Sequence, residues 1–321
     1  MKKTASGKII LENLSSNVYE HPAEKEIQKA VSNNKAIEKA FDFIAKYGIE
    51  RLVISEYIAN SIEVKPTNFP EIDKIKEEVC EILDVKTLPR MYIQVEGKIN
   101  CEAIGISEPI VILNTGTIDR LKNDELFFII GHEIAQIKSQ HTRYLFINKI
   151  LPMLSDAMQS ASSAIPIVGD AIGSMLSSGL SILLYQYERI TDYSADRASL
   201  LTCQDMDIAL KTLMKISGCP AAYYDKMNKD DFIKQFDDFE SSNTSNKILD
   251  LLANYDKKRA NSVRRAKELY DWYNTKEHEK ILALDYGKVE TNVPEPAQSE
   301  NKVEKSIEGF VGKFKDSLKG F

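Results

Sequence analysis

The chain has 321 residues, a net charge of -6, 43% hydrophobic and 28% charged residues, which is the composition of a globular protein with sequence enough for a sizeable core. The acidic balance provides no overall basic field and excludes nucleic acid as the main partner. Its four cysteines, Cys80, Cys101, Cys203 and Cys219, form no Cys-x-x-Cys unit, so neither a disulfide framework nor a zinc knuckle is expected.

The N-terminal MKKTASGKIILENLSS is basic but lacks the apolar core of a secretory signal, because Glu12 and Asn13 follow directly on Ile9, Ile10 and Leu11. A cytoplasmic protein is expected. From Ala23 to about Tyr57 the spacing of Ile27, Val31, Ile37, Ala40, Phe41 and Ile44 predicts amphipathic helix, with Pro22 suited to its first turn. A second helix is predicted from Pro70 to Leu83. The period then changes: Met91 to Val95 and Pro109 to Asn114 are short β-branched runs that read as strands of a small sheet.

The next helix carries GHEIAQIKSQH, residues 131 to 141, with Asn123 as its expected N-cap and Asp124 and Glu125 in its first turn. A zinc-protease helix of the form His-Glu-x-x-His places two imidazoles one turn apart on one face, and its glutamate takes the proton of the attacking water. Here His132 and Glu133 are in place, but Gln136 stands where the second histidine would be. At about 100° per residue Gln136 still points to the His132 face, and its amide oxygen is a harder, weaker donor than imidazole. The helix is expected to run on past His141, which, nine residues beyond His132, falls on the opposite face and cannot take over as a ligand, and His21 and His278 lie in distant segments.

Residues 157 to 187 are nearly uncharged, with Asp170 alone, and read as a buried helical hairpin turning near Gly169 rather than a membrane span. A helix from Glu188 to Leu201 follows, carrying DYSAD. Asp192 and Asp196 share one face of it, so one can contact a metal while the other orients His132. Helical patterns run on to about Leu284. The expected organisation is a domain over 1–285, a polar Pro-containing linker over 286–301, and an amphipathic C-terminal helix over 302–321. That last helix, apolar on one side with lysines between, suits docking on the body or peripheral contact with a membrane.

YEHPAEK (Tyr19 to Lys25), INCEAIG followed by PIVILNTG, GHEIAQIKSQH, TDYSADRASLL and RAKELYDW (Arg265 to Trp272) together resemble the HtpX-like and CAAX prenyl protease group of zinc metalloendopeptidases, in particular its soluble bacterial branch. The resemblance covers most of residues 19 to 282. It implies a mostly α, α+β gluzincin fold with a small sheet beside the motif helix, whose edge strand pairs with an extended peptide substrate. It further implies zinc held at the positions of His132, Gln136 and Asp192, Glu133 as the base, and Asp196 behind His132. The departures fall on those same positions. Gln136 replaces histidine. Asp192 replaces glutamate and is shorter by one methylene, roughly 1.5 Å. Arg259 and Ala260 stand where similar members have His-Pro, leaving Arg259, together with Asn100 before the edge strand, as contacts for an oxyanion or substrate. Two readings follow: a metalloendopeptidase with weakened metal binding, or an inactive pseudoprotease that binds an extended peptide or partner protein.

Overall fold

The computed structural model describes residues 1–160, 180–242 and 262–288, with side chains described for 1–153, 180–236 and 262–287. Three helices open the fold, α1 (Glu24–Ser32), α2 (Lys35–Tyr47) and α3 (Ile49–Ala59). Asn34 caps α2, its side chain accepting from the Ala36 and Ile37 amides, and Gly48 at φ 62° ends it in the left-handed conformation that glycine adopts without strain. A short strand β1 (Ser61–Glu63), for which the sequence offers no alternating run, precedes α4 (Pro70–Ile82), which starts on proline as expected. Strands β2 (Met91–Gln94), β3 (Cys101–Ile104) and β4 (Ile110–Asn114) complete a sheet of order β1-β2-β4-β3.

In that sheet β2 runs parallel to β4, while β1 and β3 pair antiparallel to their neighbours, with Cys101 opposite Leu113. Every residue of β4 is buried. Its Val111 and Leu113 face one core, with α4 and the motif helix, and its Ile110 and Ile112 face the other, with α2 and α3. A strand covered on both faces reads as a continuous apolar run, which is why PIVILN lacks alternation.

After α5 (Thr115–Arg120) comes the motif helix α6 (Asn123–Lys138), then α7 (Thr142–Ser160), α8 (Leu180–Cys203), α9 (Met206–Ile216), α10 (Lys229–Ser242), α11 (Ser262–Asn274) and α12 (Glu277–Leu282). Residues 125 to 136 of α6 are all buried. It packs chiefly on α8, with α4, α9 and β3 around it. A tight contact with α8 lies at Gly131, where an added Cβ would stand 2.2 Å from Thr202 Oγ1, itself 2.7 Å from the Phe127 carbonyl.

Three expectations need correction. The N-cap of α6 is Lys122 rather than Asn123, because Glu125 reaches back to accept the Lys122 amide at 2.8 Å and its carboxylate is held by Lys215 at 2.7 Å. Its C-terminus comes at Lys138, not beyond His141: Gln140 adopts φ 58° and the His141 amide returns to the Gln136 carbonyl at 2.9 Å. The helix carrying DYSAD begins at Leu180, so the second arm of the expected hairpin is continuous with it. The turn near Gly169 and residues 289–321, including most of the linker and the whole C-terminal helix expected there, lie outside the described residues. Among the described residues no helix is long and apolar enough to cross a membrane.

The Gly131 contact leaves no space for a methyl group. Gly131→Ala is expected to destabilise the protein by about 1–3 kcal/mol through overpacking, read as a lower urea midpoint at unchanged m-value.

Candidate metallopeptidase site

The site is built where α6, α8 and α11 meet. His132 and Gln136 stand one turn apart on α6, Asp192 and Asp196 one turn apart on α8, and all four side chains are buried. His132 Nε2 lies 3.2 Å from Asp192 Oδ1, and His132 Nδ1 lies 3.0 Å from Asp196 Oδ1. The Gln136 amide nitrogen donates to Asp192 Oδ1 at 3.4 Å. Two four-residue spacings on adjacent helices thus converge on one imidazole.

Asp196 is fixed in turn by Arg265 of α11, whose Nε donates to Oδ2 at 2.7 Å and whose Nη2 donates to Oδ1 at 2.5 Å. This bidentate fork fixes the carboxylate in both position and rotation. Burial pushes Asp196 upward, but Arg265 and His132 outweigh it and hold the group below the usual aspartate range. His132 is pushed down by burial and by Arg265, and its hydrogen bonds to Asp192 and Asp196 reverse that to leave it raised. The opposing shifts have one origin: a buried imidazole between two carboxylates, with one arginine balancing the second.

Glu133 points the other way, toward the sheet. Its Oε2 accepts the Ala103 amide of edge strand β3 at 2.8 Å. Cys101 is buried in the same strand. Asn100, just ahead, is tied by its backbone to the Thr117 hydroxyl at 2.7 Å and to the Asn114 amide at 3.1 Å. Among the described residues no hydrogen bond joins it to the His132 cluster. Arg259 lies outside the described residues.

Behind Gln136 stands a second polar relay. His141 does not face away, as a continuing helix would have it; the left-handed turn at Gln140 returns its Nδ1 to within 2.7 Å of Gln136 Oε1. Its Nε2 lies 2.5 Å from Glu24 Oε1 on α1, and Ser194 of α8 donates to the other Glu24 oxygen. His21 is likewise brought in, its amide donating to Ser194 Oγ at 2.8 Å. Sequence reasoning passed over Arg265, His141 and Glu24 as working residues. One signal was available: Arg265 shares a helical stripe with Leu269 and Trp272, both buried, so a charge there needed a partner.

Zinc sites of this kind have bonds of about 2.0–2.1 Å at tetrahedral angles, which separates neighbouring donors by about 3.3 Å. The 3.2 Å from Asp192 Oδ1 to His132 Nε2 fits that spacing, whereas the Gln136 atom that meets Asp192 is the amide nitrogen, its oxygen being turned to His141. Among the described residues no three His, Cys, Asp or Glu side chains group for a metal.

A histidine-glutamate helix beneath the edge strand of a small sheet, with carboxylates of a second helix on the histidine, defines the scaffold of a mostly helical metallopeptidase. Residues 66–274 match the family model described as Peptidase family M48, and the chain belongs to that family. The plastoglobule-localized metallopeptidase 48 of Arabidopsis thaliana chloroplasts is 23% identical over 290 residues, covering 85% of this chain and 77% of that protein. A protease HtpX homolog of Pediococcus pentosaceus is 30% identical over 86 residues, 26% of this chain and 28% of its own. No solved structure matches the chain significantly.

Removing Arg265 leaves the buried Asp196 carboxylate with His132 alone and without its permanent counter-charge. Arg265→Ala is expected to cost about 3–5 kcal/mol, measured by urea unfolding. Because the folded pKa of Asp196 is depressed, its contribution is present above the ordinary aspartate pKa near ~3.9 and is lost as pH falls through the folded value. In chelator, the stability gap between wild type and Asp196→Asn should therefore shrink as the pH is lowered from neutral into that range.

Proposed function

We propose that this M48 protein is a peptide-bond hydrolase with a weakened metal centre, in which His132, Gln136 and Asp192 hold zinc and Glu133 is the general base. The observation that carries this reading is the approach of Asp192 Oδ1 to His132 Nε2 at 3.2 Å, the spacing of two zinc donors, with Gln136 one turn along the same helix. The ion, when bound, supplies Lewis acidity toward water and the scissile carbonyl. The chain's own residues do the rest. Edge strand β3 has an outer side on which an extended peptide pairs by backbone hydrogen bonds, with Glu133 held against the same strand at Ala103. Glu133 exchanges that amide for the proton of the attacking water, while burial of the surrounding groups keeps competing water away from it.

Asp196 and Arg265 keep His132 from rotating, the role a carboxylate behind a ligand histidine serves. Gln136 is the weak point. Its oxygen is engaged by His141 and its amide nitrogen faces Asp192, so it offers a metal a neutral donor only at the expense of the His141 bond. Affinity below that of a two-histidine site follows, with a shift in preference toward harder ions such as manganese.

The same amide orientation favours a second reading, a pseudoprotease that binds an extended peptide or partner protein without cutting it. In that reading the site is closed by hydrogen bonds alone. Substrate in either case is a protein or peptide. Peripheral membrane contact through residues 302–321 is part of the proposal, supported by their lysine-spaced apolar pattern and by the plastoglobule location in the name of the plant relative.

Metal titration with casein cleavage separates the readings. Gln136→His is expected to tighten zinc binding at least about tenfold, as an imidazole replaces an amide oxygen, and to raise cleavage above wild type. Glu133→Gln is expected to abolish cleavage at unchanged metal occupancy. Wild-type protein that takes up neither zinc nor manganese and leaves casein intact would establish the pseudoprotease.

A further inference from the structure

A pocket of about 330 Å³, apart from the His132 cluster, opens where the end of α8 meets α9, α11 and α12. Its wall is Leu200, Leu201, Met206, Tyr273, His278 and Leu282. That volume is at the low end of the roughly 300–1,000 Å³ of small-molecule sites and suits one or two large side chains. The His278 and Tyr273 rings stack at 4.3 Å and 23°, and burial lowers His278 from the usual histidine value, so the stack is a neutral aromatic surface. The His278 Nδ1 is buried without a hydrogen-bond partner among the described residues, and the residue is only 6% exposed. Native proteins rarely leave such an atom unmet, so the described residues do not complete this pocket.

Chain connectivity and charge select the occupant. The described chain leaves at residue 288, shortly after Leu282 in the pocket wall, and residues 289–301 then provide a tether of up to about 43–47 Å at about 3.3–3.6 Å per extended residue. That reach returns the segment beyond it to the wall from which it departed. A short tether also holds its end at roughly millimolar local concentration, so a contact of modest strength is populated. Residues 302–321 set Ile307, Phe310, Val311, Phe314 and Leu318 at helical spacing, with five lysines against Glu304, Glu308 and Asp316. The pocket rim answers that charge. Asp207 pairs with Lys229, but Asp205, which accepts the Ile208 amide at 3.1 Å, has no cation within ion-pair distance among the described residues.

We propose that residues 302–321 fold back as an amphipathic helix and seat Phe310 and Phe314 in this pocket, with their lysines beside Asp205. The proposal rests on the reading of that segment as one helix and is independent of whether peptide is cut. Two aromatic side chains are thereby taken out of water against Tyr273, His278 and Leu282. Leu200 and Leu201 continue the helix that carries Asp192 and Asp196, so the docked segment braces α8 against α11 and α12. One apolar face cannot lie in the pocket and on a membrane together. Docking and peripheral membrane contact are therefore alternative states of the same segment.

The test uses the full chain with p-benzoylphenylalanine in place of Phe314, whose benzophenone inserts into neighbouring C–H bonds and favours methionine. Irradiation of dilute protein is expected to join position 314 to peptides of the same molecule that contain Met206 or residues 273–282. Products confined to other parts of the chain, or formed only between two molecules, would overturn the docking. Hydrogen exchange gives a second measurement. The double variant Phe310→Ser, Phe314→Ser is expected to speed amide exchange in α12 about tenfold or more while α2 is unchanged, because only local opening around the pocket becomes easier. Exchange in α12 equal to that of wild type would count against the proposal in the same way. Vesicles of phosphatidylglycerol and phosphatidylcholine then separate the two states. Their addition is expected to suppress the Met206 product, as exclusive use of one face requires. A product that persists undiminished removes the membrane reading and leaves the docked segment standing.

Discussion

The site depends on one buried ion pair, the fork from Arg265 to Asp196. Without it the Asp196 carboxylate would sit in the core with only the His132 imidazole beside it, and nothing would fix the rotation of the group that orients that ring. The pair also ties three helices that are far apart in sequence. Arg265 comes from α11, Asp196 from α8 and His132 from α6, and α6 and α8 are in tight contact at Gly131 and Thr202, with Asp192 Oδ1 3.2 Å from His132 Nε2 on the same pair of helices. Packing and chemistry are here one constraint: widening the α6–α8 gap would separate Asp192 from the imidazole before it exposed any of the core.

Gln136 lies between two networks with different demands. Toward the site it faces Asp192, and toward the back it is held by His141, Glu24 and Ser194. An imidazole at 136 would offer one nitrogen to each side without conflict. An amide must give its oxygen to one side and its nitrogen to the other, and in this protein the oxygen goes to His141. Weakened metal binding therefore follows from hydrogen-bond bookkeeping as much as from the intrinsic softness of the donors.

How much of this was legible follows from the reach of each signal. The helices from Glu24 to Ala59 and from Pro70, the strands at 91 and 110, and the motif helix all show in periodicity and capping, because those are local properties of the chain. Strand β1 escaped because three residues, Ser61 to Glu63, carry no pattern and exist as a strand only by pairing with β2. The ends of α6 were misplaced for a similar reason. Glu125 is held from α9 by Lys215, and the left-handed Gln140 returns the chain to a partner on α1.

By itself the sequence determined the chemistry available: His132 followed by Glu133, an amide at 136, and two aspartates one turn apart within DYSAD. It also determined the family, since those motifs stand in a fixed order over most of the chain. Only the tertiary structure decided which aspartate meets which imidazole nitrogen, that Arg265 balances Asp196, and that His141 turns back to hold Gln136. Those outcomes depend on distances between helices, and contacts such as that of Gly131 with Thr202, about 70 residues apart in the chain, are matters of side-chain volume that no local pattern encodes.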